Sequence, residues 1–133
     1  MTTADRLVLI VDDQPDVRLM VSYQLASCGG EIAEAGDGPE ALGFVARRPP
    51  AVIVLDYQMP GMLGTEVAEE LQASGYGGTI LLYSAHLTHE LRTRAAELGL
   101  VAVNKTELDE LRRPAAVRGE SLGVAAPVCT RFP

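Results

Sequence analysis

The chain has 133 residues, 47% hydrophobic and 22% charged, a balance that excludes a disordered polypeptide and allows one domain with its own core. Its formal net charge of −7 argues against sequence-independent nucleic-acid binding, which needs a basic face to displace counterions, and suits an acidic cation pocket or a basic partner. No apolar run approaches the ~18 residues of a membrane span, so no membrane partner is expected.

The N-terminal stretch MTTADRLVLIVDD has no basic region ahead of its apolar residues and reads as a strand, not a signal peptide. Cys28 and Cys129 are too few and too far apart for a disulfide framework or a zinc site. Cys28 falls in a helical apolar register and Cys129 in an irregular stretch, which fits a reducing cytoplasm.

Arg6 to Val11 is the first apolar strand, and it ends in Asp12-Asp13. Pro15 suits a first helical turn, where its missing donor costs nothing, and Val17, Val21, Leu25 and Cys28 then recur on one helical face. Gly29-Gly30 ends that helix, and Glu31 to Ala35 is a less apolar strand suited to a sheet edge. Asp37 is a good N-cap with Pro39 just inside the next helix, whose buried side is expected to be Ala41, Leu42, Val45 and Ala46.

Val52 to Leu55 is a β-branched apolar run of the kind buried on both faces of a sheet, and it delivers Asp56 to a turn marked by Pro60-Gly61. Gly64 to Ser74 is helical, with Val67 and Leu71 inward and Glu66, Glu69 and Glu70 outward. Thr79 to Tyr83 is the fourth strand, ending in Ser84-Ala85. Thr88 caps a helix that buries Leu91, Ala95 and Leu98 and stops at Gly99. Leu100 to Val103 is the fifth strand, ending in Asn104-Lys105. Thr106 and Asp109 have the capping-box form, but Pro114 stops that helix after about two turns.

Strands alternating with helices predict an α/β fold: a doubly wound, five-stranded parallel sheet of order 2-1-3-4-5, flavodoxin-like, with a short, atypical fifth helix. In that order the first and third strands are neighbours across the topological switch point, so Asp12, Asp13, Asp56, Ser84 and Lys105 all fall on one rim. Clustered carboxylates repel one another, and a hard divalent cation, Mg²⁺ or Mn²⁺, would relieve that cost. With Ser84 as a hydrogen-bond donor and Lys105 as a cation, the pocket would suit a phosphoryl group attacked in line by Asp56. Taken singly, Asp13 is as readily a helix cap, Ser84 turn chemistry and Lys105 a solvated cation. Their joint placement favours the pocket.

The acidic pair of LVLIVDD, the Asp of VIVLDYQMPG, the SA of LLYSA and the Lys of VAVNK together resemble a response-regulator receiver domain of two-component signalling, over about Arg6 to Arg113. The resemblance implies that Asp56 accepts a phosphoryl group from a phosphohistidine on a sensor histidine kinase or phosphotransfer protein, or from a small phosphodonor. It implies that Asp13, Asp56 and the backbone carbonyl of Gln58 ligate Mg²⁺, that Asp12 acts through a metal-bound water, and that Ser84 and Lys105 contact the phosphoryl oxygens. Ala85 would keep access to Asp56 open, while Gln58 and His86 would tune the lifetime of the aspartyl phosphate.

The chain departs from the family pattern at two places. Ala102 stands where family members usually carry an aromatic residue that moves inward on activation. Thr106 stands where a proline usually follows the lysine, so a trans bond is expected, because a cis bond there would cost about 3–4 kcal/mol. Residues 1–113 are expected to form the receiver and 114–133 an irregular tail, a docking segment or a cover for bare sheet, with no output domain.

The reading is a phosphoacceptor signalling domain, not an enzyme, acting by contact with an unidentified protein target, with a homodimer also open to it. The alternatives are a degenerate receiver kept as a binding module and a phosphatase of the haloacid-dehalogenase type. The latter needs a second Asp two residues after its nucleophile, where this chain has Gln14 after Asp12-Asp13.

Overall fold

The computed structural model describes residues 7–25 and 30–105. Within them the chain runs β1 (Leu7–Val11), α1 (Pro15–Leu25), β2 (Glu31–Ala35), α2 (Gly38–Arg47), β3 (Val52–Asp56), α3 (Gly64–Ala73), β4 (Thr79–Ser84), α4 (His89–Leu98) and β5 (Val101–Asn104). The five strands form one parallel sheet in the order β2-β1-β3-β4-β5, the order expected from the alternating pattern. The expected helix from Thr106, the tail 114–133, Cys28 and Cys129 lie outside the described residues.

Strand side chains alternate between two dry faces. On one, Leu9, Val11, Ile53, Leu55, Ile80 and Leu82 pack with residues of α2, α3 and α4, among them Ala41, Val67, Leu71 and Leu91. On the other, Val8, Ile10, Val52, Val54, Leu81, Tyr83 and Val103 pack with Val21 and Leu25 of α1. The central strands β1 and β3 are therefore buried along their whole length, which is why their sequences are continuous apolar runs. At the edge, β2 is half-polar, and its carboxylates are held from outside by Arg18 on Glu34 (2.9 Å) and Arg48 on Glu31 (2.6 Å).

The helix boundaries follow their caps. The Asp37 carboxylate accepts from the Glu40 N–H at 2.8 Å, and the Thr88 hydroxyl accepts from the Leu91 N–H at 3.1 Å. Gly99 closes α4 in the left-handed region at φ 74°. One expectation fails in α2: Ala46 is exposed, and the buried side is Gly38, Ala41 and Val45, with Leu42 and Phe44 half-buried against the core. Ala41 and Val45 are four apart and share a face, whereas Ala46 lies about 100° further round the helix. Val17 and Leu98 are likewise only half-buried, at the margins of their faces. No described helix is long and apolar enough to cross a membrane.

Gly64 links this frame to the rim. Its N–H donates to the Tyr57 carbonyl at 2.7 Å, which docks the start of α3 against the end of β3. A Cβ at Gly64 would press against the Asp56 carbonyl oxygen and lie 2.8 Å from Leu82 Cδ1, closer than either can tolerate without movement. Gly64→Ala is expected to lower stability in urea unfolding by about 1–3 kcal/mol, the usual cost of overpacking. An unchanged midpoint would mean that the β3–α3 junction yields freely.

Candidate functional site

Parallel pairing brings the carboxyl ends of β1, β3, β4 and β5 to one rim. Val11 pairs with Leu55, so Asp12 and Asp56 follow side by side. Asp56 pairs in turn with Tyr83, and Ser84 with Asn104. Asp12 is fully buried, Asp56 is 3% exposed, Ser84 is buried and Asp13 is half-buried. Asp12, Asp13 and Asp56 each offer a carboxylate oxygen, and the three oxygens lie within 4.8 Å of one another.

Lys105, immediately after β5, reaches into this cluster. Its Nζ is 3.5 Å from Asp56 Oδ1 and 3.9 Å from Asp12 Oδ2. One ammonium among three carboxylates leaves an excess of negative charge that no other described side chain offsets at this distance. The electrostatics respond as expected: burial first, and then the neighbouring Asp12 charge, push the Asp56 carboxyl from its ordinary 3.8 up to about 6, against the opposing pull of Lys105.

Asp12 is held on both oxygens. The Gln14 N–H donates to Oδ1 at 2.8 Å, and the Tyr83 hydroxyl donates to Oδ2 at 2.5 Å. The Asp12 carbonyl accepts from Arg18 Nη1 at 2.6 Å, which anchors the first turn of α1 to the rim. No motif in the sequence marks Tyr83 as part of the rim, although a buried tyrosine hydroxyl in TILLY needs a polar partner and so signals one. Burial, and then the bond to Asp12, raise the Tyr83 phenol well above its ordinary range, so it is a fixed donor.

Ser84 stands at the rim with its hydroxyl turned to its own loop, accepting from the His86 N–H at 3.2 Å and lying 3.3 Å from the His86 carbonyl. Beside it a cavity of about 410 Å³ opens between the loops after β3 and β4, lined among others by Gln58, Thr65, Ser84, His86, Thr88 and Arg94. Ala85 and Gln58 are exposed. Ala102 pairs with Leu82 and is half-buried against the core under α3 and α4. The aromatic side chain next to Ser84 is Tyr83, and it points to the opposite face of the sheet.

Comparison with known proteins points one way. A family model described as the response regulator receiver domain matches residues 8–113. The probable transcriptional regulatory protein TcrX of Mycobacterium tuberculosis is 41% identical over 78 residues, covering 59% of this chain, which spans 33% of TcrX. The sporulation initiation phosphotransferase F of Bacillus subtilis is 26% identical over 107 residues, covering 79% of this chain and 86% of that protein. Among solved structures, the response regulator protein TrrA of Thermotoga maritima, in complex with Mg²⁺–BeF, superposes with a TM-score of 0.70 at 29% identity, over 86% of this chain and 97% of that one.

The raised value of Asp56 has a consequence for stability in the absence of divalent cations. A folded-state value of about 6 against an ordinary 3.8 means that the folded protein holds this proton longer than the unfolded chain does. The stability associated with it is complete below about pH 4, falls as pH rises through about 6, and is lost above that. Asp56→Asn removes the charge, so in EDTA at neutral pH the variant is expected to exceed the wild type by on the order of 2–3 kcal/mol, and the two should converge toward pH 4. Urea unfolding across this pH range checks it, and equal stability at neutral pH would contradict it.

Proposed function

The chain belongs to the response regulator receiver domain family, and on that premise we propose that Asp56 is its phosphoacceptor. Phosphorylation on an aspartate is general to the family, and receiver domains pair with sensor histidine kinases or phosphotransfer proteins. One observation carries the reading: a carboxylate only 3% exposed ends a dry central strand with two further carboxylates and a lysine ammonium around it. Such crowding points to a use, because one ammonium among three carboxylates offsets only part of their repulsion.

The donor set fits a hard divalent cation. It is all oxygen, carries excess negative charge and opens to solvent at Asp13. Asp13, Asp56 and the backbone carbonyl of Gln58 would hold Mg²⁺ or Mn²⁺, with Asp12 acting through an intervening water. When bound, the cation would supply positive charge to the three carboxylates and to the incoming phosphoryl oxygens.

Asp56 above its titration range is a carboxylate nucleophile. One of its oxygens would attack phosphorus in line, forming the O–P bond as the P–N bond to the donor imidazole breaks. The leaving nitrogen keeps the bonding pair and takes up a proton. Lys105, already 3.5 Å from Asp56 Oδ1, would bond a phosphoryl oxygen. The Ser84 hydroxyl would turn from the His86 backbone to donate to another. Gln58 and His86 border the same opening and would set how readily water reaches the acyl phosphate.

Residues 1–113 would then act as the receiver and 114–133 as a docking tail. Output would pass by contact with a protein target, a second copy of the chain included. Such a domain works as a cytoplasmic signalling component without catalytic turnover of a substrate. Ala102 leaves no aromatic side chain on β5 to follow Ser84, so the relay would run through the β4–α4 loop itself.

Incubation with acetyl phosphate and Mg²⁺ is expected to add one phosphoryl group, located to Asp56 by mass spectrometry. EDTA and Asp56→Asn should each abolish it, and Lys105→Ala should slow it about 10²-fold, as loss of a charge-stabilising donor does. Labelling on another residue, or none with donor and Mg²⁺ present, would overturn the assignment. Steady release of phosphate from simple esters would point to a phosphatase instead.

A further inference from the structure

Tyr83 is a large side chain that joins the core under α1 to the acidic rim. It is fully buried among Val8, Ile10, Val54 and Val103, an environment that a phenylalanine would satisfy. Its hydroxyl nonetheless reaches across β3 from β4 to the end of β1 and donates to Asp12 Oδ2 at 2.5 Å, in the range of charge-assisted O–H···O⁻ bonds. Its ring lies under Lys105, whose Nζ is 5.3 Å from the ring centroid. The Tyr83 backbone is fastened at the same level: its carbonyl accepts from the Tyr57 N–H at 2.9 Å, and Tyr83 pairs with Asp56.

We propose that Tyr83 is a positioning residue of this site, whose hydroxyl locks the Asp12 carboxylate for outer coordination of the divalent cation and whose ring seats Lys105 beside Asp56. The inference rests on the reading of this rim as a cation-dependent phosphoacceptor site. With the Gln14 N–H on Oδ1 and the Tyr83 hydroxyl on Oδ2, the Asp12 carboxylate is held from both ends and cannot rotate about its Cβ–Cγ bond without losing a partner. Each oxygen keeps lone-pair capacity, so the fixed carboxylate still accepts from water. Lys105 meets three restraints at once, two carboxylates and an aromatic face, which confine an otherwise flexible chain. Tyr83 thus serves the site without touching the phosphoryl group or the cation.

Tyr83→Phe keeps the ring and removes only the hydroxyl. Calorimetric titration with Mg²⁺ is expected to show about tenfold weaker binding, the usual loss when a hydrogen bond that orients a metal-site carboxylate is removed. The Mg²⁺ concentration that half-saturates acetyl-phosphate labelling should rise by the same factor. The Gln14 amide resonance should also move in the metal-free protein, since its acceptor is free to turn. Tyr83→Leu also removes the seat of Lys105 and should lower the labelling rate at saturating Mg²⁺ as well.

Binding by Tyr83→Phe within twofold of wild type would overturn the proposal while leaving Asp56 as phosphoacceptor intact. A wild type that binds no Mg²⁺ would overturn both. If Tyr83→Phe does not fold, wild-type protein labelled at tyrosine ¹³Cζ gives the test. The Tyr83 resonance should shift with the calorimetric midpoint for Mg²⁺, and a resonance indifferent to Mg²⁺ would overturn the proposal.

Discussion

Three carboxylate oxygens within 4.8 Å of one another at the end of a dry sheet are a standing electrostatic cost, and much of the structure exists to contain it. Lys105 offsets part of the charge, and the Gln14 amide and Tyr83 hydroxyl offset more at Asp12. The remainder shows in the Asp56 carboxyl, which burial and its neighbours push to about 6. An apolar or amide side chain at position 56 would be easier to fold around. A buried carboxylate crowded by two others is the kind of group that the reading of Asp56 as phosphoacceptor requires.

The containment works because the frame is stiff. β1 and β3 are buried on both faces, and their ends cannot move apart without opening two cores at once. Gly64 brings α3 against the Asp56 backbone with no room for a Cβ, and Arg18 ties α1 to the Asp12 carbonyl. Outside this doubly buried frame, the rim is completed by the Ser84–His86 loop, the cavity of about 410 Å³ beside it, and the exposed start of α4. On β5, Ala102 brings only a methyl group to its place beside Leu82.

The same frame explains why Tyr83 and Ser84, adjacent in sequence, serve different ends of the site. Strand alternation sends Tyr83 beneath the sheet toward α1 and Asp12, while Ser84 stays with the loops on the side of α3 and α4. One residue steadies the acidic pocket and the next faces the opening through which a phosphoryl group would arrive.

Periodicity and punctuation in the sequence determined the strand and helix order, the caps at Asp37 and Thr88, and the identities of Asp12, Asp13, Asp56, Ser84 and Lys105, because each of these is written locally: an apolar run, then a polar residue, then a turn. Even the sheet order was within reach, since right-handed crossovers leave few alternatives for five alternating strands. What only the tertiary structure decided depends on distance across strands. Ala46 turned outward because packing selects a narrow helical stripe, and composition does not mark its edge. The alliance of Tyr83 with Asp12 spans 71 positions in sequence and two strands in the sheet, and no local pattern carries it. The sequence named the groups at the rim; the pairing of the strands decided which of them touch.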